Sequence, residues 1–239
     1  MASFDLLLRQ LQQRVPIQVI FAHINELLVE CEEARVFQKR FIEHIAYETC
    51  IPIDQKLLRK IYSFLLNRFD RLYNGQRYAL EDEFVEYFAS SNENNFNEND
   101  GKCDRYYVLD ASKTIHIRTN DALVSAGTTG YSLWDASVAL LHELYANRNG
   151  LRSAFLNKRV LELGSGTGLG GLAVASLCQS LSSIVLSDIQ PVHDSYTLPN
   201  LLLNADSLAS CPISSEVLYW NDLSAQVSER FDVVFGCDL

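Results

Sequence analysis

Val160–Gly171 reads VLELGSGTGLGG. Val160 to Leu163, apolar but for Glu162, read as a short buried strand. Gly164 to Gly168 then alternate glycine with small polar residues, and an apolar stretch from Leu169 to Leu181 reads as a helix. Glycines at such a junction permit positive φ and let a ligand approach the backbone closely. Exposed N–H groups at the start of the helix are suited to polar or anionic parts of a nucleotide-like ligand. The sequence on either side continues the strand–helix alternation. Ile184 to Asp188 read as a second strand, Val192 to about Ala205 as a helix, Val217 to Tyr219 as a third strand and Phe231 to Phe235 as a fourth. Short apolar strands separated by helices predict a parallel sheet covered on both faces, so the fold class is α/β.

Gly166, Gly168 and Gly171 satisfy GxGxxG, the dinucleotide fingerprint, so glycine spacing alone leaves an NAD-dependent oxidoreductase open. The frame decides further. The turn opens at Gly164 with Glu162 two places before it, giving E-x-G-x-G-x-G, the form typical of S-adenosylmethionine enzymes. A sulfonium cofactor carries a positive centre and an amino group, so a nearby carboxylate is apt there and unhelpful beside a pyrophosphate. Asp188 closes the second strand and is placed to accept hydrogen bonds from ribose hydroxyls, which fits either cofactor. Its alternative reading is a helix N-cap. Trp134, in GTTGYSLWDAS, and Trp220, in LYWND, offer aromatic faces that suit adenine or a methionine chain, or else a core.

Upstream, residues 1–89 read as helical. Ile17, Ile20, Phe21, Ile24, Leu27 and Leu28 repeat at helical spacing after Pro16, and Val36, Phe37, Phe41, Ile42 and Ile45 repeat the pattern. Asp54 suits the N-cap of a long helix striped with Leu57, Leu58, Ile61, Leu65, Phe69 and Leu72, with Gly75 at its end. This region reads as a packing or substrate-docking module. Residues 90–101, SSNENNFNENDG, are too polar to bury much surface and read as a linker or loop. Arg105–Asp110 and Thr114–Arg118 follow as two short strands about an Ala-Ser-Lys turn, and Ser132 is the expected cap of a helix from Leu133 to Tyr145. Three segments result: a helical region 1–89, a linker 90–101 and an α/β domain 102–239.

The chain has 239 residues, is 48% hydrophobic and carries a formal net charge of −10, so it can bury a sizeable core and lacks the basic surface expected of a general nucleic-acid binder. The acid excess serves solubility first and also suits a cationic substrate segment. The six cysteines form no CxxC pair, which argues against a zinc centre and, with an N-terminus unlike a signal peptide, points to reduced thiols in the cytosol or nucleus. No stretch approaches the roughly 20 apolar residues of a membrane span.

In order and spacing, GTTGYSLWDAS, VLELGSGTGLGGLA, Ser187–Asp188, NLLLN at Asn200 to Asn204, LYWND and FDVVFGCD resemble the seven-strand lysine methyltransferases of the methyltransferase-16 group. Within that group the likeness is to family with sequence similarity 86. The motifs cover Gly127 to Asp238. The resemblance implies a Rossmann-like class I core, S-adenosylmethionine as cofactor, no metal, a cytoplasmic location and a protein substrate, elongation factor 2. It implies that Trp134, Gly164, Ser165, Gly166, Trp220 and Cys237 line the cofactor, with Glu162 supporting its methionine part and Asp188 its ribose. Cys237 stands where the family has a small residue. Asp238 matches the first residue of the family's DxxY motif beside the acceptor lysine, the one catalytic candidate. Leu239 is the last residue, before the motif's tyrosine, so the expectation is a C-terminally truncated member lacking the last strands, with a non-catalytic cofactor-binding or interaction protein as the alternative.

Overall fold

A computed structural model describes residues 3–47, 53, 55–72, 80–90, 102–110, 113–120, 130–208, 211–222 and 230–238. The expected cap at Asp54, the stop at Gly75 and most of the polar segment 90–101 lie outside the described residues. The chain divides into two compact units, 1–97 and 98–239.

The first unit is helical throughout its described residues: α1 (Phe4–Gln13), α2 (Ile17–Cys31), α3 (Ala34–Phe41) running into a π-helical turn (Ile42–Tyr47), α4 (Gln55–Leu72) and α5 (Asp82–Ser90). Each helix is striped with apolar residues, and the stripes meet in one core holding Phe4, Phe37, Phe41, Phe69, Phe84 and Phe88. Val36 and Leu72, expected on these stripes, face solvent. The helix ends are secured by side chains. Ser3 accepts the Leu6 N–H at 3.1 Å as N-cap of α1, and Gln38, fully buried, accepts the Glu81 N–H at 3.0 Å just before α5.

His23 ties α1 to α2. Its ring is 5% exposed; Nε2 accepts the Ser3 N–H at 3.2 Å, and Nδ1 stands 2.8 Å from Gln10 Oε1. This arrangement needs the neutral imidazole with its proton on Nδ1. Burial holds the His23 pKa below its ordinary 6.5, against the opposing pull of Glu26 and Glu30. The unfolded chain therefore binds the proton first. The His23 contribution to stability is complete above about pH 6.5 and declines as pH falls below it. Thermal melts of the full chain at pH 7.5 and 5.5 check this: the acid-induced loss should shrink in His23→Gln, and equal losses in both proteins would refute it.

The second unit opens with an antiparallel hairpin of β1 (Lys102–Val108) and β2 (Thr114–Asn120), pairing Tyr106 with His116 and Asp104 with Arg118. Then come α6 (Asp135–Ala146), β3 (Arg159–Leu163), α7 (Leu169–Leu177) and β4 (Ser183–Asp188). A segment interrupted by a π-helical turn follows: α8 (Gln190–Val192), the turn (His193–Thr197) and α9 (Leu198–Leu203). The described residues end with β5 (Ile213–Val217) and β6 (Val233–Phe235). The four later strands are parallel in the order β5-β4-β3-β6. From β3 the chain winds outward through β4 to β5, then returns to the other side of β3, so the order reverses beside β3. Val160, Leu161 and Glu162 are all buried, the mark of a strand covered on both faces. This is the doubly wound α/β arrangement expected of a Rossmann-like core.

Several boundaries differ from expectation: β1 spans Lys102–Val108 rather than Arg105–Asp110, and β6 spans Val233–Phe235 rather than Phe231–Phe235. Helix α6 begins at Asp135 with Trp134, not Ser132, as its N-cap residue. Helix α7 ends at Leu177, where Cys178 turns to extended backbone. The third parallel strand is ISSEV at Ile213–Val217 rather than Val217–Tyr219: it lies at the edge of the four-stranded sheet, half solvated, and so lacks an apolar signature. Among the described residues no helix is long and apolar enough to cross a membrane.

Candidate active site

The turn after β3 is built from both sides. Gly164, Gly166 and Gly168 take φ of 58°, 54° and 83°, left-handed values that side chains resist. The Ser165 N–H donates to the Ser187 carbonyl at 2.9 Å, and the Ser187 hydroxyl donates to the Glu162 carbonyl at 2.7 Å, so β4 fastens both shoulders of the turn. Asp188 Oδ2 accepts the Gly166 N–H at 2.7 Å, while its Oδ1 accepts the Ile189 N–H at 2.7 Å. Burial raises the Asp188 pKa, with both N–H donors opposing the rise. Each carboxylate oxygen keeps a lone pair beyond these bonds, the capacity that hydroxyl recognition needs.

An open cleft lies over this turn at the carboxyl ends of the parallel strands. Its walls include Trp134 and Ser137 from the start of α6, Gly164 to Thr167, Asp188, Trp220, Cys237 and Asp238, together with Gly130 and Ser132. The cleft sits where strand order reverses, the usual ligand position in open α/β sheets. Trp134 and Trp220 are 37% and 53% exposed, unusual for indoles and suited to covering a flat ligand. Asp238 takes a left-handed φ of 56°, and its Oδ2 accepts the Ala136 N–H at 3.1 Å in the first turn of α6. Among the described residues no three His, Cys, Asp or Glu side chains are grouped to hold a metal ion.

Eight of the nine residues singled out from the sequence thus meet in one cleft. Glu162 does not. It lies beneath the turn, 1% exposed, with Oε2 accepting the Gly171 N–H at 2.9 Å. The N-cap of α7 is Gly168, which has no side chain to offer, so Glu162 caps that helix from the neighbouring strand. Burial pushes its pKa up to about 8. Burial likewise pushes the Cys237 thiol up to about 11, so at neutral pH it is a small neutral wall rather than a nucleophile.

Sequence reasoning missed the supports behind the cleft. Thr197 and Asn200, both fully buried, donate to the carbonyls of the glycine turn. Asn200 stood in the NLLLN motif, whose paired asparagines amid leucines were the available signal; Thr197 gave none. Ser137 follows Trp134 by three, and its hydroxyl donates to the Trp134 carbonyl at 2.8 Å, fixing the backbone that carries the indole.

Comparison with known proteins agrees with this construction. Residues 112–239, over half the chain, match the lysine methyltransferase family model. The chain is 32% identical over 148 residues to protein-lysine N-methyltransferase EEF2KMT of Mus musculus, covering 58% of this chain and 43% of that protein. It is 27% identical over 184 residues to the Bos taurus protein of that name, covering 77% and 48%. It is also 33% identical over 85 residues to the calmodulin-lysine N-methyltransferase of Arabidopsis thaliana, covering 35% and 28%. The chain spans less than half the length of each of these relatives. The match to the family model, whose residues include every wall of the cleft, establishes that the chain belongs to the lysine methyltransferase family.

Proposed function

We propose that the cleft binds S-adenosylmethionine and serves protein-lysine N-methylation, with elongation factor 2 as the protein substrate and the cytoplasm as the place of action. One observation carries the reading: a carboxylate at the end of β4, two half-exposed indoles and a left-handed glycine turn converge on a single cleft in a lysine methyltransferase chain. The residues fit a sulfonium nucleoside. Asp188 supplies acceptors for ribose hydroxyls, and the indoles of Trp220 and Trp134 supply faces for the adenine and the methionine arm. The backbone of Gly164 to Gly166 allows close approach. An NAD reading fits less well, because the first turn of α7, where a pyrophosphate would rest, already donates its Gly171 N–H to Glu162.

When bound, the cofactor supplies an activated methyl group for a neutral lysine amine. The work of the chain is to position and to exclude water. Asp238, at the wall of the cleft, favours approach of a lysine side chain, whose ammonium must lose a proton from a reference pKa of about 10.4. Elongation factor 2 as substrate rests on the family resemblance and on the names of the mouse and bovine relatives. The test is a methyl-transfer assay offering elongation factor 2 and calmodulin, with the modified lysine located by mass spectrometry. Methylation of calmodulin alone would displace elongation factor 2 as the substrate. Calorimetry with S-adenosylhomocysteine tests the cleft itself: Trp220→Ala should weaken binding about tenfold, near 1.4 kcal/mol. Unchanged affinity would take the indole out of the site.

A further inference from the structure

Thr197 and Asn200 reach the glycine turn from behind the cleft. The Thr197 hydroxyl donates to the Gly166 carbonyl at 2.7 Å, and Asn200 Nδ2 donates to the Thr167 carbonyl at 2.8 Å. Both side chains are 0% exposed. Thr197 closes the π-helical turn His193–Thr197, a wide and uncommon geometry. Two residues on, Pro199 has no N–H to donate, so the helical ladder lacks one bond there.

In a glycine-rich turn the φ/ψ wells lie close in energy, so a peptide plane can rotate unless something holds it. Within a planar trans peptide the C=O and the next N–H point in opposite directions. The bond from Thr197 to the Gly166 carbonyl therefore turns the Thr167 N–H away from Thr197, and Thr167 is part of the cleft wall. At the other end of the same residue, the Gly166 N–H donates to Asp188 and completes the hold, so Gly166 is gripped by acid on one side and hydroxyl on the other. Asn200 extends the grip. Its Nδ2 also donates to the Arg118 carbonyl at 2.8 Å and its Oδ1 accepts the Arg118 N–H at 2.8 Å, linking the turn to strand β2 of the hairpin.

We propose that Thr197 and Asn200 are positioning residues for donor binding: they fix the peptide planes after Gly166 and Thr167, so that the turn meets the donor already in its binding geometry. This rests on the reading of the cleft as an S-adenosylmethionine site. Affinity then depends on a hydroxyl that need not touch the ligand, because a turn held in one conformation loses less freedom on binding.

The test compares native chain, Thr197→Val and Thr197→Ser. Valine keeps the shape and removes the donor, and serine restores the hydroxyl. Calorimetry with S-adenosylhomocysteine should show Thr197→Val weakened about tenfold and Thr197→Ser within about twofold of native. Hydrogen exchange without ligand should speed up at residues 164–168 in Thr197→Val and not in the α7 segment 172–177. A Thr197→Val protein with native affinity and native exchange overturns the proposal, and so does one that is unfolded at 25 °C, which would make the hydroxyl a stability element. If the native chain binds no S-adenosylhomocysteine, the cofactor reading of the cleft fails. The exchange arm still decides whether Thr197 holds the turn.

Discussion

Gly171→Ala should lower the melting temperature of the chain by about 8 °C or more, the shift that roughly 3 kcal/mol gives at this size. A methyl group there would stand 2.6 Å from Leu186 Cδ1 and 2.7 Å from Glu162 Oε2, both buried and backed by the packed core. Overpacking of this kind costs about 1–3 kcal/mol. Displacing the carboxyl from the Gly171 N–H leaves a buried donor unsatisfied for about 1–3 kcal/mol more. Alanine's better helix propensity offsets only about 1 kcal/mol. Gly170→Ala should behave alike, since its methyl would run into Glu162 Oε1. Scanning calorimetry checks both, and a Gly171→Ala chain melting within about 2 °C of native would show that α7 is not pressed against β3 and β4 as described.

The second large effect is a pH dependence centred on Glu162. Its ordinary pKa of 4.5 rises to about 8 in the folded chain, chiefly through burial, with a smaller push from Asp188. Between these values the folded chain holds a proton that the unfolded chain has released. The Glu162 contribution is therefore complete below about pH 4.5, declines as pH rises and is gone once pH passes about 8. The slope is about 1.4 kcal/mol per pH unit where the two states differ by one proton, several kcal/mol in all. Glu162→Gln keeps an oxygen for the Gly171 N–H and has no charge to bury. Its denaturation free energy should match native near pH 5 and exceed it at pH 9. Parallel curves for the two proteins across that range would mean that Glu162 is ionised in the folded state.

How much of this could be read in the sequence varies by element, for physical reasons. The β3–turn–α7 unit was legible because Val160, Leu161 and Leu163 mark a buried strand and glycines at every second place of 164–168 mark the turn. Strand β5 was misplaced because edge strands are half solvated, so Ser214, Ser215 and Glu216 hide the strand pattern. Of the cleft residues, the glycine turn and Asp188 were legible from their places after β3 and at the end of β4, whereas the roles of Cys237 and Asp238 came through the family resemblance alone. The place of Glu162 was not legible: spacing put a carboxylate two residues before the turn, but alternation along β3 decides which way it points. Thr197 escaped for a related reason, since its hydroxyl matters only after a π-helical turn brings it to Gly166.

Along β2 the outward peptide groups of two residues are answered by side chains: His116 by Asn204 through both its N–H and its carbonyl, and Arg118 by Asn200 in the same way. Two amides thus impersonate a neighbouring strand. An extended acceptor segment cannot zip onto this flank by backbone pairing, and another copy of the hairpin cannot either. Growth of the ribbon from the β2 side is therefore closed at these two residues, whatever extended chain approaches it.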